Sequence, residues 1–202
     1  MIRENKHPYI VIDCRWDYEY QAGHIKGAQN IDNPTLLERK FFQDFDYIRQ
    51  LMRERTILVF HCEFSQKRAP QLWSKLREID RNLNMEKYPK LFYPEMYILN
   101  GGYKQFYMEF PEHCEGGYLP EAEGKNCGAR TKQNRIENRN YDVKEQIKLL
   151  KQRQRAASTT GTPEQEPSCS NLKVKKINSE ATGFGIRLRA TRPRTGRDES
   201  PQ

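Results

Sequence analysis

The chain has 202 residues, 36% hydrophobic and 31% charged, with a formal net charge of +8; this fits one packed domain plus an added segment, not a core running end to end. Residues 1–120 carry 17 Lys+Arg and 17 Asp+Glu while residues 121–202 carry 18 and 10, so the basic surplus describes the C-terminal part alone. Residues 1–7 are too charged for a signal peptide, and no apolar run approaches the ~20 residues of a membrane span, which argues against membrane attachment.

Tyr9–Asp13 is a short, apolar, β-branched run, predicting a parallel strand buried on both faces. It ends at Asp13-Cys14-Arg15, the carboxyl end of a strand, where open α/β sheets place ligands. Arg15 and Glu19 are expected to pair across a turn, in a structural role. Gly23-His24-Ile25-Lys26-Gly27-Ala28 leads into a second strand, with His24 bracing a loop. Residues 35–52 show mixed helical periodicity through Leu36, Leu37, Phe41, Phe45, Ile48, Leu51 and Met52, enough to cover one face of a sheet. Residues 56–60 form another strand. Beyond it, Leu72, Leu76, Ile79 and Leu83 recur at helical spacing, with Pro70 in the first turn, where a missing N–H is harmless. Arg77 and Arg81 lie four apart on another face. Residues 96–99 are the last clear strand, Asn100-Gly101-Gly102 is its turn, and residues 111–120 finish a domain spanning 1–120. Residues 121–140 are polar and turn-rich, predicting a linker. Residues 141–155 allow a basic helix, with Val143, Ile147 and Leu150 on one face. From residue 156 to 202 large apolar residues are scarce, predicting a disordered basic tail.

The chemistry concentrates between the strand at 56–60 and the helix that follows. There the chain reads His61-Cys62-Glu63-Phe64-Ser65-Gln66-Lys67-Arg68-Ala69-Pro70. A cysteine at a strand end, five intervening residues, an arginine and a helix start are the parts of a phosphate-cradling loop with a nucleophile at its entrance. Backbone N–H groups from 63 to 68 can turn inward, the helix N-terminus adds positive potential, and a cysteine there ionises more readily. Arg68 supplies a planar fork that matches two phosphate oxygens. The same residues also allow a plain buried cysteine, with Arg68 on a helix surface. Five cysteines without framework spacing point to a reducing, intracellular setting. Cys114 and Cys127 are not spaced as a zinc knuckle, so neither metal nor other cofactor is expected.

His61-Cys62-Glu63-Phe64-Ser65, followed by Arg68 and Pro70, closely resembles the active-site signature of the M-phase inducer phosphatases, dual-specificity phosphatases of the cell-division cycle. Two further stretches are similar to the same family: Val11-Ile12-Asp13-Cys14-Arg15 through Glu19-Tyr20 and Gly23-His24-Ile25, and residues 93–103. Together they cover roughly residues 8–120 in the family's order. The resemblance implies an α/β rhodanese-like domain, a central mainly parallel sheet flanked by helices. It also implies cysteine-dependent hydrolysis of phosphotyrosine and phosphothreonine in a cyclin-dependent kinase–cyclin complex, activating the kinase at G2/M.

Carried over residue by residue, Cys62 is the nucleophile, Glu63, Phe64, Ser65, Gln66, Lys67 and Arg68 form the phosphate loop, and Cys14 is a redox partner able to trap an oxidised Cys62. Arg77, Arg81 and Tyr88 match positions that dock the protein substrate, Tyr88 after a two-residue insertion. Glu63 keeps one of two loop glutamates considered as proton donors in the family; Lys67 stands at the second. Ala69 replaces the family's usual glycine. The family's domain usually opens with a helix before the first strand, which here starts about eight residues in, as a short member or a fragment would. A monomer shared between nucleus and cytoplasm is expected. The tail clusters at 173–176 and 187–197 suit nucleic acid or an import receptor, and Thr162-Pro163 and Ser200-Pro201 suit a phosphoserine/threonine-binding regulator.

Three alternatives stay open on these residues. A sulfurtransferase of the same fold carries a persulfide, but typically with one residue fewer in the loop. A catalytically weak module binds phosphorylated kinase without turnover, which Lys67 favours. An arsenate-reductase-like use of the loop is the remotest.

Overall fold

The computed structural model describes residues 8–121, 129–159 and 188–189. Strand β1 (Tyr9–Asp13) is followed by α1 (Asp17–Ala22), β2 (Gly23–Ile25) and the two-residue β3 (Gln29–Asn30). Helices α2 (Pro34–Phe42) and α3 (Phe45–Glu54) precede β4 (Ile57–His61) and the long α4 (Arg68–Leu83). Then come β5 (Met96–Leu99), α5 (Gly102–Glu109), β6 (Cys114–Gly116), α6 (Ala129–Asn140), α7 (Val143–Thr159) and β7 (Leu188–Arg189). The main sheet runs β3-β1-β4-β5-β7, parallel throughout except for β7, which is antiparallel to β5. β2 and β6 make a separate antiparallel pair.

Alternation along the strands sorts the core into two layers. Ile12, Leu58, Phe60 and Ile98 face a cluster completed by Leu37 and Phe41 of α2, Leu51 of α3 and Leu72, Leu76 and Ile79 of α4. Val11, Val59 and Leu99 meet Ile25, Tyr103 and Phe106 on the other side. The stripe on α4 is therefore buried as its spacing predicts. The periodic stretch at 35–52 is two helices. Asn33 caps α2 by accepting from Leu36 N–H at 2.8 Å, and Asp44 caps α3 by accepting from Asp46 and Tyr47 N–H at 3.0 Å. A capping aspartate satisfies first-turn donors and so starts a new helix within an otherwise continuous pattern.

The C-terminal expectations need correction. The expected polar linker at 121–140 holds α6. Apolar periodicity missed it because this helix is docked by polar groups: Asn134 is buried while Ile136 stays exposed. Asn134 donates to Asp32 at 2.5 Å, Asn33 donates to Asn134 at 3.2 Å, and Asn138 donates to the Asp32 carbonyl at 2.8 Å. Helix α7 runs to Thr159, past the expected end at 155, and places Ile147 and Leu150 in the main core against α4. The packed unit thus continues beyond residue 120. Leu188 and Arg189, inside the stretch expected to be disordered, pair with Leu99 and Ile98; backbone pairing at a sheet edge asks little of side-chain pattern. The rest of the tail expectations, including the clusters at 173–176 and 190–197 and both proline-directed sites, lie outside the described residues, as does Cys127. Among the described residues, no helix is long and apolar enough to cross a membrane.

Candidate active site

Strand pairing brings the two candidate cysteines side by side. β1 and β4 are parallel with Asp13 opposite His61, and Cys14 N–H donates to the His61 carbonyl at 2.7 Å. Cys14 and Cys62 therefore leave the sheet together at its carboxyl edge. Both are buried free thiols. Burial first, then the neighbouring Cys62 and Asp13, push the Cys14 thiol well above the usual range, so Cys14 is not itself a nucleophile at neutral pH.

After Cys62 the chain turns so that its carbonyls and amides separate. The start of α5 collects the carbonyls: Tyr103 N–H donates to Cys62 O at 2.9 Å and Lys104 N–H to Glu63 O at 3.1 Å. Gly102, at φ 66°, is what lets α5 come this close, because a Cβ there would stand 2.5 Å from both carbonyl oxygens. Ser65 adopts φ 56°, a left-handed conformation of the kind found in anion-binding backbone nests. Among the described residues, the N–H groups of Glu63, Phe64, Ser65, Gln66 and Lys67 donate to no protein acceptor, and the buried Ser65 Oγ has no partner.

Arg68, the first residue of α4, follows that run with a carboxylate in its fork. Its two terminal nitrogens bond the two oxygens of Glu19, Nη2 to Oε1 at 3.0 Å. Glu121 lies 3.5 Å away and Glu63 3.9 Å away. Burial alone would lower the arginine's pKa; Glu19 first, then Glu121 and Cys62, hold it above the usual value. Glu19 itself is pushed up by burial, which Arg68 partly offsets. The expected Arg15–Glu19 pair is corrected here. Arg15 instead grips Asp13 at 2.7 Å, donates to the Gly23 carbonyl at 2.7 Å and lies over the Tyr103 ring. Its partner is set by depth in the sheet rather than by spacing in the sequence.

Glu63 is buried, with both oxygens accepting: Oε1 from the Tyr118 hydroxyl at 2.5 Å and Oε2 from Glu121 N–H at 3.3 Å. Phe64, Gln66 and Lys67 are exposed. Ala69 is buried in the helix, outside the positive-φ positions, so replacing a glycine there causes no backbone strain. His24 braces the end of α1 rather than a loop, its Nδ1 lying 3.0 Å from Tyr20 O and its ring stacked on Tyr20.

The docking expectation divides. Arg81 and Tyr88 are exposed. Arg77 is corrected: its guanidinium is buried, donating to the carbonyls of Tyr93 at 2.7 Å and Pro94 at 3.2 Å and pairing with Asp80 at 3.4 Å. A guanidinium used inside the fold offers little to a partner. Sequence reasoning passed over Trp16, Tyr118, Glu121 and Arg135. Trp16 lies under both Arg68 and Arg135 and donates to Glu121 at 2.9 Å. No signal marked them, since Glu121 and Arg135 fall in the supposed linker. Among the described residues, no group of His, Cys, Asp and Glu is arranged to hold a metal.

Residues 1–109 match the rhodanese-like domain family. Over 99 residues the chain is 52% identical to an M-phase inducer phosphatase of Caenorhabditis elegans, covering 49% of this chain and 30% of that one. Over 149 residues it is 42% identical to M-phase inducer phosphatase 3 of Homo sapiens, covering 70% of this chain and 30% of that one. The chain thus spans 30% of the length of either relative. Among solved structures, a yeast protein tyrosine phosphatase of the rhodanese family aligns over 57% of this chain and 81% of its own, at 25% identity and a TM-score of 0.35, which carries no argument.

Proposed function

Because the chain belongs to the rhodanese-like domain family and its relatives are M-phase inducer phosphatases, we propose that it is a dual-specificity protein phosphatase working through a phosphocysteine at Cys62. The observation that carries this is the run of five amides between Cys62 and Arg68 that donate to no acceptor among the described residues. Amides free in this way suit an anion cradle, to which Cys62 at the start of the run would bring the sulfur and Arg68 at its end the guanidinium. A five-residue span fits a tetrahedral phosphoryl group, which favours phosphate over a persulfide. An arginine that holds a carboxylate in its fork matches two phosphoryl oxygens by the same geometry.

In this mechanism the Cys62 thiolate attacks phosphorus, the S–P bond forms and the P–O bond to the protein substrate breaks. Loop amides and Arg68 stabilise the charge on the equatorial oxygens. Water then attacks the phosphocysteine, releasing inorganic phosphate and restoring the thiolate. The substrate we infer is a phosphorylated cyclin-dependent kinase–cyclin complex, activated by the reaction; the relatives' role in inducing M phase supports it. Arg81 and Tyr88 are exposed where such a partner would dock. A monomer acting in nucleus and cytoplasm completes the proposal, in which Cys14 would condense with a sulfenic acid at Cys62 to a disulfide, losing water.

Cys62→Ser tests the central claim. It is expected to retain phosphorylated kinase in a pull-down while abolishing turnover of both the kinase and a small aryl phosphate. Wild-type protein inert on both substrates, yet able to bind phosphorylated kinase, would instead make this a binding module.

A further inference from the structure

Resting on the phosphatase proposal, a proton has to reach the departing oxygen, because serine-, threonine- and tyrosine-type leaving groups are poor anions. The donor needs a place at the mouth of the loop, an oxygen aimed at the phosphoryl site and contact with water to recover its proton. Three carboxylates surround Arg68. Glu19 is fully buried and both its oxygens lie in the arginine's fork. Glu63, the donor expected from the sequence, is also buried, and both its oxygens are occupied by Tyr118 and by the backbone of residue 121.

Glu121 meets all three conditions. Its side chain is 41% exposed, against 0% for Glu19 and 6% for Glu63. Trp16 Nε1–H at 2.9 Å and Arg135 at 3.4 Å hold Oε1, which leaves Oε2 facing Arg68 at 3.5 Å. The backbone is pinned on both sides of the residue. Its N–H donates to Glu63 and its carbonyl accepts from the Tyr18 hydroxyl at 3.1 Å. A flexible side chain is thus fixed at the base and at one oxygen, with the other turned to where a phosphoryl group gripped by Arg68 would lie. Glu121 lies outside residues 1–109 that match the family.

We propose that Glu121 is the general acid and base of the reaction. As the Cys62 sulfur bonds to phosphorus and the P–O bond breaks, the Glu121 carboxyl passes its proton to the leaving oxygen and becomes a carboxylate. That carboxylate then takes a proton from the water whose oxygen attacks the phosphocysteine. The S–P bond breaks, phosphate leaves, and both thiolate and carboxylic acid are restored.

Glu121→Gln tests this in a leaving-group series. Measured as kcat/KM, which reports phosphocysteine formation alone, phenyl phosphate, which needs a proton on departure, is expected to fall about 100-fold, whereas 2,4-dinitrophenyl phosphate, whose leaving group is a stable anion, keeps its kcat/KM; kcat falls for both, because hydrolysis of the shared phosphocysteine loses its base. Inhibition by tungstate is expected to be unchanged, and Glu121→Asp to recover part of the phenyl phosphate rate. Equal losses of kcat/KM on both esters would overturn the proposal and leave Glu121 a structural brace. Faster turnover of both with tighter tungstate binding would also overturn it, making Glu121 a competitor of phosphate for Arg68. Wild-type protein inert on both esters overturns the phosphatase proposal itself, whereas leaving-group independence in an active enzyme overturns the role of Glu121 alone.

Discussion

At the scale of single residues, the least expected group is His61, directly before the candidate nucleophile. It is fully buried, neither ring nitrogen makes a well-formed hydrogen bond among the described residues, and its Nε2 lies 3.7 Å from Asp13. Burial is the dominant influence and holds its pKa below the ordinary histidine value, with Asp13 opposing. The folded protein therefore binds fewer protons here than the unfolded chain. Stability contributed by the neutral ring is present above about pH 6.5 and is lost as pH falls from there toward the lowered value. Asp13 acts in a more acidic window. Burial would raise its pKa, but His61 and Arg15 together hold it low, so its contribution is lost only as pH drops below about 3.9. His61→Gln is expected to flatten the fall in Tm between about pH 7 and about pH 5, measured by thermal melts across that range. An unchanged slope would show that His61 is not the group being titrated.

Arg77 and Arg81 make the same point about residues that look equivalent in the sequence. Arg81→Ala is expected to spare hydrolysis of an aryl phosphate and weaken the reaction with phosphorylated kinase. Arg77→Ala is expected to lower stability instead, by about 1–3 kcal/mol, since it leaves buried carbonyls of residues 93 and 94 and Asp80 short of a donor. Urea unfolding and the two substrates, measured side by side, separate these outcomes. Equal losses on both substrates for Arg81→Ala would defeat remote docking.

At the scale of elements, three pieces build the loop between Cys62 and Arg68: β4 delivers Cys62, α4 begins at Arg68, and α5 takes the loop's first carbonyls. The third contact fixes the carbonyls at the start of the loop, those of Cys62 and Glu63 being taken by Tyr103 and Lys104 N–H. Gly102 makes the approach possible, with a positive φ and no Cβ to meet those carbonyls. Gly102→Ala is expected to cost about 1–3 kcal/mol and to impair aryl phosphate hydrolysis, because either α5 or the loop has to shift. An active and equally stable variant, measured by steady-state rates and chemical denaturation, would show that the close contact is dispensable.

At the scale of the whole molecule, residues after 121 act on both the core and the candidate site. Helix α7 buries Ile147 and Leu150 beside α4, and Lys75 of α4 donates to the Asn138 carbonyl at 3.0 Å. Helix α6 holds Arg135 near Glu121 and hangs on the Asp32–Asn33–Asn134 cluster. Leu150→Ala is expected to destabilise the folded domain by about 2–5 kcal/mol, read from denaturation. A cost near zero would mean that α7 is not docked in solution.

What was legible in the residues follows from local rules. Strands Tyr9–Asp13 and Met96–Leu99, the buried stripe of α4 and the loop between Cys62 and Arg68 each depend on residues close together in the chain. Their periodicity and turn chemistry carry the information. The sequence by itself determined this frame, and its motifs determined the family. Only the tertiary structure decided which carboxylate meets Arg68, that Arg77 is consumed inside the fold, and that a polar stretch after residue 121 returns to the mouth of the loop. Those outcomes depend on depth and direction between segments distant in sequence. A buried asparagine or a partly exposed glutamate declares its role through its neighbours, and spacing along the chain does not specify them.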